Sequence, residues 1–277
     1  MNKKILVLDL DGTLTNSKKE ITPKTLDALE RLQQAGHIIV LASGRPIAGI
    51  RPVAETLGLE KKGGYILAFN GAKIVDWRTK ETLFQQTLDH QYLKELYEAA
   101  VRHNLTILTY DDENVIAGTT VNKYAELESR INHMEIELTE DFVNSIDFPM
   151  NKCLMTGEPE ETKACEEELL ASLGDVLSIF KSEDFFLEIM AQNIDKAASL
   201  DRLVQYLGRS REDVVCCGDG YNDISMIRYA GVGVAMQNAK DEVKQAADVI
   251  TDSNDEDGLV PIIEEYFLKA GDRNEIE

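Results

Sequence analysis

The sequence is short of positive charge. It sets 29 Lys and Arg against 50 Asp and Glu, a formal net charge of −21 over 277 residues. Nucleic acid backbones are gripped mainly by Lys and Arg, so this balance argues against a nucleic acid partner. It equally disfavours electrostatic docking on anionic lipid. An acidic chain that handles anions needs a local concentration of cations or a bound metal. Long apolar runs are also missing, and none approaches the roughly 18 residues of a membrane-spanning helix. Lys3 and Lys4 precede Ile5-Leu6-Val7-Leu8, but Asp9 ends that run well short of the roughly 7–15 residues a secretion signal requires. The expected location is the cytoplasm, with no membrane partner. Cysteines are few: Cys153, Cys165, Cys216 and Cys217 form no C-x-x-C pair. No disulfide framework or zinc spacing emerges, and reduced thiols are expected, two of them in a buried strand. No fixed-period repeat and no low-complexity tract is found.

What is present is globular. The hydrophobic fraction of 43% excludes wholesale disorder, and the length suits one large domain or two smaller ones. Ile5-Leu6-Val7-Leu8, Ile38-Ile39-Val40-Leu41 and Tyr65-Ile66-Leu67-Ala68-Phe69 are short continuous apolar runs, the pattern of strands buried on both faces. Between them, Thr22-Pro23 opens a helix that Gly36 stops, and Pro46 opens another that ends near Gly58. The rhythm returns near the C-terminus. Helices are predicted over Ala197–Leu207, Ile224–Tyr229, Asp241–Ala247 and Leu259–Leu268, with strands over Val214–Cys217, Val232–Ala235 and Val249-Ile250. The fold class is therefore α/β, with a doubly wound, mostly parallel sheet. The middle reads differently. Helical stretches near Tyr92–His103 and Glu160–Leu173 lie among short strands at Thr106–Leu108, Val115–Ala117, Cys153–Met155 and Leu177–Ile179. That mixture predicts an inserted α+β domain over 84–187, with 1–83 and 188–277 forming the core.

Four motifs follow core strands or open a core helix. Asp9-Leu10-Asp11-Gly12-Thr13 comes directly after the first strand. Its two aspartates share one face if the extended backbone continues, and Gly12 permits a turn close to a ligand. Two carboxylates there are costly unless a cation holds them. Ser43-Gly44-Arg45 follows the second strand, offering a hydroxyl and a glycine-freed amide before a helix N-terminus that favours anions. Lys196 opens the helix after the insert, and Gly218-Asp219-Gly220-Tyr221-Asn222-Asp223 follows the Val214–Cys217 strand. Singly, each has an ordinary reading as a turn, a cap or a solvated charge. Together they fall on one predicted rim of one sheet, where function collects in such folds. The side chains of Asp9, Asp11, Asp219 and Asp223 are expected to converge in one cluster. Carboxylates, a hydroxyl, a lysine and free amides would suit an Mg²⁺-bound phosphoryl group.

The ordered set resembles the haloacid dehalogenase superfamily, specifically phosphatases of the Cof-type branch with a C2 cap of subclass B. The resemblance spans essentially the whole chain. Asp9-x-Asp11-Gly12-Thr13 is similar to motif I of that family and Ser43 with Gly44-Arg45 to motif II. Lys196 is similar to motif III, and Gly218-Asp219-x-x-Asn222-Asp223 to motif IV. Asn70-Gly71, Val234-Ala235-Met236 and Asn238-Ala239 also resemble Cof-branch signatures, while Asn193-Ile194-Asp195 and Gln237 depart from them. The resemblance implies a Rossmann-like core and a small phosphate ester substrate, sugar phosphates foremost, hydrolysed with Mg²⁺. It implies Asp9 as nucleophile and Asp11 as acid and then base. It places the metal on Asp9, the Asp11 backbone carbonyl and Asp219, with Asp223 in support. It assigns the phosphoryl oxygens to Ser43, Gly44, Lys196, Asn222 and the Leu10 amide. The insert would be a cap that chooses the leaving group. Tyr110, Asn122 and Lys123 are aromatic and polar candidates for its contacts, though a core or surface role is the better reading of each. A phosphomutase on the same scaffold is the nearer alternative. A phospho-accepting signalling domain fits less well, since it leaves the insert unexplained. A catalytically silent ligand-binding relative is disfavoured because every catalytic position is filled.

Overall fold

The structure, a computed structural model, describes residues 3–269. The described strands, in chain order, are β1 (Ile5–Leu8), β2 (Ile38–Ala42), β3 (Tyr65–Ala68), β4 (Lys73–Asp76), β5 (Thr82–Gln85), β6 (Thr106–Tyr110) and β7 (Asn114–Ala117). They continue with β8 (Glu135–Leu138), β9 (Lys152–Thr156), β10 (Leu177–Glu183), β11 (Phe186–Ala191), β12 (Val214–Gly218), β13 (Val232–Ala235) and β14 (Val249–Ile250). They make two sheets, one in each of two compact units. The first unit holds the described chain up to Gly44, Arg51–Phe84 and the described chain from Asp195. The second holds Arg45–Ile50 and Gln85–Ile194.

The first unit is α/β. Its sheet runs β14-β13-β12-β1-β2-β3-β4-β5, with every pairing from β14 to β3 parallel and β4 antiparallel to β3. Parallel strands need covered faces, and these are covered. Ile5, Val7, Val40, Val214 and Cys216 pack with Leu200, Leu203 and Val204 of the helix Lys196–Tyr206. The alternate residues Leu6, Leu8, Ile39, Leu41, Val215 and Cys217 point the other way and are equally buried. Each such Leu, Ile or Val contributes about 1.5–3 kcal/mol by leaving water. All four cysteines are free and buried. The first helix is Pro23–Gln34, capped by the Thr22 side chain, which accepts from the Thr25 amide. The last predicted helix forms over Leu259–Ile263 and continues into a wider turn over Glu264–Leu268.

The strand order reverses at β1, which lies between β12 and β2. Leu8 is level with Leu41 on one side and Cys217 on the other. The residues that follow these three strands therefore emerge side by side, at the switch point where such sheets bind ligands.

The second unit is α+β, with a sheet in the order β10-β11-β9-β6-β7-β8 that is antiparallel at every pairing except β7 with β8. One face packs Ile107, Cys153, Met155, Leu187 and Ile189 against helices Leu93–Arg102 and Pro159–Leu173. The division from the first unit falls at 84/85 and 194/195, where the sequence suggested 83/84 and 187/188. A cut at 187/188 would sever β11, which pairs with β9 and β10 along its length.

Candidate active site

Asp9 extends β1 by one residue, its amide donating to Cys217 O at 3.1 Å. The chain then turns back. Leu14 N donates to Asp9 O and Thr15 N to Leu10 O, and the Thr15 hydroxyl also donates to Leu10 O. The turn requires Gly12. Its φ is +83°, and a Cβ there would stand 2.2 Å from Asp219 Oδ2. The close approach lets the Thr13 hydroxyl donate to Asp219 Oδ1 at 2.8 Å.

Lys196 binds these loops together. Its ammonium donates to Asp9 Oδ1 at 2.7 Å and to Asp223 Oδ1 at 2.6 Å. Lys196 and Asp223 are almost wholly buried, and Asp9 is 7% exposed. A lysine in the first helical turn meets an unfavourable dipole. Asp195 offsets part of this as the N-cap, accepting from the Ala198 amide at 2.7 Å. The second oxygen of Asp223 accepts from the amides of Asp219 and Gly220, which fixes the loop after β12.

Ser43, Asn70 and Asn222 are linked to one another by hydrogen bonds. Ser43 N donates to Leu67 O, and Asn70 N donates to Ser43 O. Asn70 adopts a left-handed backbone, φ 54°, and its side-chain oxygen accepts from Asn222 Nδ2 at 3.0 Å. That oxygen also sits beside Gly44, 3.2 Å from where a Cβ would stand.

Of the four aspartates expected to converge, three do. Asp9, Asp219 and Asp223 offer oxygen atoms within 4.8 Å of one another. The Asp11 side chain lies outside that set, its Oδ1 paired with Lys19 Nζ at 2.7 Å. Three carboxylates around one ammonium set the local electrostatics. Burial, with Asp223 adding repulsion against the pull of Lys196, pushes the Asp9 carboxyl up to about 8. Burial likewise lifts Asp219 to about 6, against the Thr13 hydrogen bond. Burial alone would lower the Lys196 ammonium, but Asp223 and Asp9 outweigh it and hold the lysine charged. An all-oxygen donor set with surplus negative charge fits a hard divalent cation. Asp9 and Asp219 would hold it, with Asp223 behind them.

Spacing alone gives no separate role to Thr13, Lys19, Asn70 or Asn238, although Thr13 lies in the first motif and Asn70 and Asn238 lie in short signatures. Asn238 Nδ2 donates to Gly12 O at 2.8 Å and its oxygen accepts from Asn254 N. The signal for Asn70 is its place just after β3, beside the strand that Ser43 follows. The cap candidates have local partners. Asn122 caps the helix Lys123–Asn132, Lys123 pairs with Glu158 at 2.8 Å, and the Tyr110 hydroxyl donates to Glu128 at 2.6 Å.

The family profile described as haloacid dehalogenase-like hydrolase matches residues 6–263. A crystal structure of a haloacid dehalogenase-like hydrolase from Bacteroides thetaiotaomicron is 45% identical. It covers 96% of this chain and 100% of its own, with a TM-score of 0.93. A 5-amino-6-(5-phospho-D-ribitylamino)uracil phosphatase of Bacillus subtilis (strain 168) is 32% identical over 272 residues, 96% of either chain. The structure of a sugar phosphatase of subclass IIB in the same superfamily is 26% identical. It covers 95% of this chain and 99% of its own, with a TM-score of 0.80. Among the described residues, no helix is long and apolar enough to cross a membrane. A motif set in this order, on this sheet, in a chain matched over residues 6–263 makes the protein a member of the haloacid dehalogenase-like hydrolases, a phosphoric monoester hydrolase of the Cof-type branch.

Proposed function

We propose that this phosphatase hydrolyses small phosphorylated metabolites, sugar phosphates foremost, with Mg²⁺ and through an aspartyl-phosphate on Asp9. The observation that carries the reading is Lys196, buried between Asp9 and Asp223, with Asp219 completing three carboxylates around one ammonium. Bound Mg²⁺ would neutralise charge on the phosphoryl oxygens and hold them against Asp9.

The chain's own residues do the rest. Lys196 grips Asp9 Oδ1 and so orients the carboxylate. An Asp9 oxygen forms the new bond to phosphorus as the ester P–O bond breaks. The departing alkoxide takes its proton from the Asp11 carboxyl. A water then attacks phosphorus, Asp11 takes the water's proton, and Asp9 leaves as a carboxylate with release of inorganic phosphate. Ser43, Gly44, Asn222 and the Leu10 amide bind the phosphoryl oxygens, with Asn70 positioning Asn222. Such transfer depends on placement and charge neutralisation more than on elaborate chemistry. The second unit serves as the cap that chooses the leaving group.

The test is phosphate release across a metabolite panel, with Mg²⁺ and with chelator. Release from sugar phosphates that stops in chelator and returns with Mg²⁺ supports the reading. Full turnover in chelator removes the metal. Conversion of a hexose 1-phosphate to an isomeric phosphate without free phosphate would make the chain a mutase.

A further inference from the structure

Two loops that carry none of the four motifs reach the turn at Gly12. They follow β13 and β14, whose last residues Ala235 and Ile250 are level with one another. Met236 N donates to Gly218 O, Thr251 N to Ala235 O, and Gln237 N to Asp252 O at 3.4 Å. The second loop is also tied to the chain that follows the first motif. Asn254 Nδ2 donates to Thr15 O at 2.9 Å, and Asp255 accepts from both the amide and the hydroxyl of Ser17. All of these residues belong to the first compact unit.

Asn238 joins the two loops to the site. It is exposed, yet both ends of its side-chain amide are engaged. Nδ2 donates to Gly12 O at 2.8 Å and stands 3.5 Å from Asp219 Oδ2, at the limit of a hydrogen bond. Oδ1 accepts from Asn254 N at 3.1 Å. A carbonyl oxygen only accepts and a backbone N–H only donates, so these neighbours fix which end of the amide faces Gly12. The approach of Gly12 to Asp219 is the contact on which the Thr13 hydrogen bond depends, and one side chain touches both partners of it.

The chemistry of the group matters as much as its place. Asp9 and Asp223 share the ammonium of Lys196, whose charge competes with a metal for their lone pairs. Asp219 accepts instead from the Thr13 hydroxyl at 2.8 Å, with the Asn238 amide beside its other oxygen. Both donors are neutral, so they restrain the carboxylate and leave its charge to a cation. Carboxylates that hold metals are oriented by such outer hydrogen bonds, and losing one weakens the metal.

We infer that Asn238 is a positioning residue: its amide, aimed by the Asn254 N–H, holds the Gly12 turn against Asp219 and so sets that carboxylate for the divalent cation. The inference rests on the reading of the three-carboxylate cluster as a Mg²⁺ site.

The experiment titrates Mg²⁺ alone into the substrate-free protein by calorimetry, beside urea midpoints in chelator. It uses the wild type, Asn238→Ala, Asn254→Ala and Asn254→Pro. Water replaces the exposed amide in Asn238→Ala, but nothing aims that water, so the fold is kept and the restraint is lost. Asn254→Ala removes only the side-chain bond to Thr15 O. Asn254→Pro removes the N–H as well, at a position that suits proline: Asn254 opens the short 3-10 helix Asn254–Glu256, and Ser253 before it is extended, φ −70° and ψ 163°. Asn238→Ala is expected to raise the Kd for Mg²⁺ by about 10–100-fold with the urea midpoint in chelator close to the wild type's. Asn254→Pro is expected to raise Kd above that of Asn254→Ala, a difference that reads the aiming N–H whatever the stability of Asn238→Ala. A Kd unchanged in Asn238→Ala, or equal in Asn254→Pro and Asn254→Ala, overturns the inference and leaves Asn238 a tie between loops. A wild type with no binding heat and no gain in Tm from Mg²⁺ defeats the metal reading first, and the inference falls with it.

Discussion

Lys19 Nζ lies 2.7 Å from Asp11 Oδ1, and Lys196 Nζ lies 2.7 Å from Asp9 Oδ1. Two carboxylates of one short motif are therefore held by two lysines in opposite surroundings. The Lys196 contact is sealed in the protein, whereas the Lys19 side chain is 62% exposed. An exposed pair is worth roughly 0–1 kcal/mol, so Asp11 leaves Lys19 at little cost. Asp9 is held by a contact in the interior, whereas the contact of Asp11 with Lys19 lies at the surface.

That contrast predicts a split among variants. Asp9→Asn is expected to abolish both turnover and covalent phosphoenzyme, since an amide is a poor nucleophile. Asp11→Asn is expected to cost about 10²–10⁴-fold on alkyl phosphates and much less on an activated aryl phosphate, whose leaving group needs no proton. Lys19→Ala is expected to change kcat/KM by less than about fivefold. Steady-state kinetics with acid-quench trapping of the phosphoenzyme check all three. Equal losses on aryl and alkyl esters for Asp11→Asn would remove it as the acid.

Lys196→Met tests the buried ion triad. Methionine fills similar volume but leaves Asp9 and Asp223 facing each other without their cation. Breaking a buried pair by removing one partner costs about 3–5 kcal/mol. The variant is expected to unfold at markedly lower urea in chelator, and to recover part of the loss in Mg²⁺. A urea midpoint equal to the wild type's in chelator would mean that Lys196 carries no structural charge balance.

Gly12→Ala tests the turn. The left-handed φ and the 2.2 Å approach to Asp219 leave no room for a methyl group. The Thr13–Asp219 hydrogen bond depends on the same approach. The expected outcome is a rise in the Mg²⁺ concentration for half-maximal rate together with a fall in kcat, read from a metal titration. Wild-type values for both would show that the loop relaxes freely.

Much of this architecture was legible because buried parallel strands announce themselves. Ile5–Leu8, Ile38–Leu41 and Val214–Cys217 are apolar without interruption, and each is followed by a chemistry-bearing loop. The helix Ile224–Tyr229 and the start of Pro23–Gln34 followed from spacing and from a proline in the first turn. β4 and β5 were missed because a short antiparallel extension at a sheet edge leaves no long apolar run. β11 was missed because Glu188 breaks the pattern Phe-Leu-Glu-Ile-Met-Ala. A buried charge pairs with a residue distant in sequence, here Lys152, and spacing does not reveal such a partner. The same limit hid Lys19. It is nothing but a surface lysine until the turn at Gly12 brings Asp11 beside it.

The final prediction concerns protons and metal together. Burial first, and Asp223 second, raise the Asp9 carboxyl from 3.8 to about 8, and burial raises Asp219 from 3.8 to about 6. The folded protein thus holds these protons more tightly than the unfolded chain does. Without metal, both groups contribute stability that is complete below their unfolded values and is lost as pH rises through their folded ones. A divalent cation binds the ionised carboxylates, so its binding releases the same protons and is favoured by rising pH. Surface groups with lowered values, such as Glu158 and Asp255, titrate alike with and without metal and cancel in the difference. The gain in Tm on adding saturating Mg²⁺ is therefore expected to grow between about pH 5 and about pH 8, while the metal-free contribution of the site declines. Scanning calorimetry in chelator and in Mg²⁺ across that window gives the difference directly. A gain that is flat across the window would mean that the cation displaces no protons, and the three-carboxylate site would then not be where it binds.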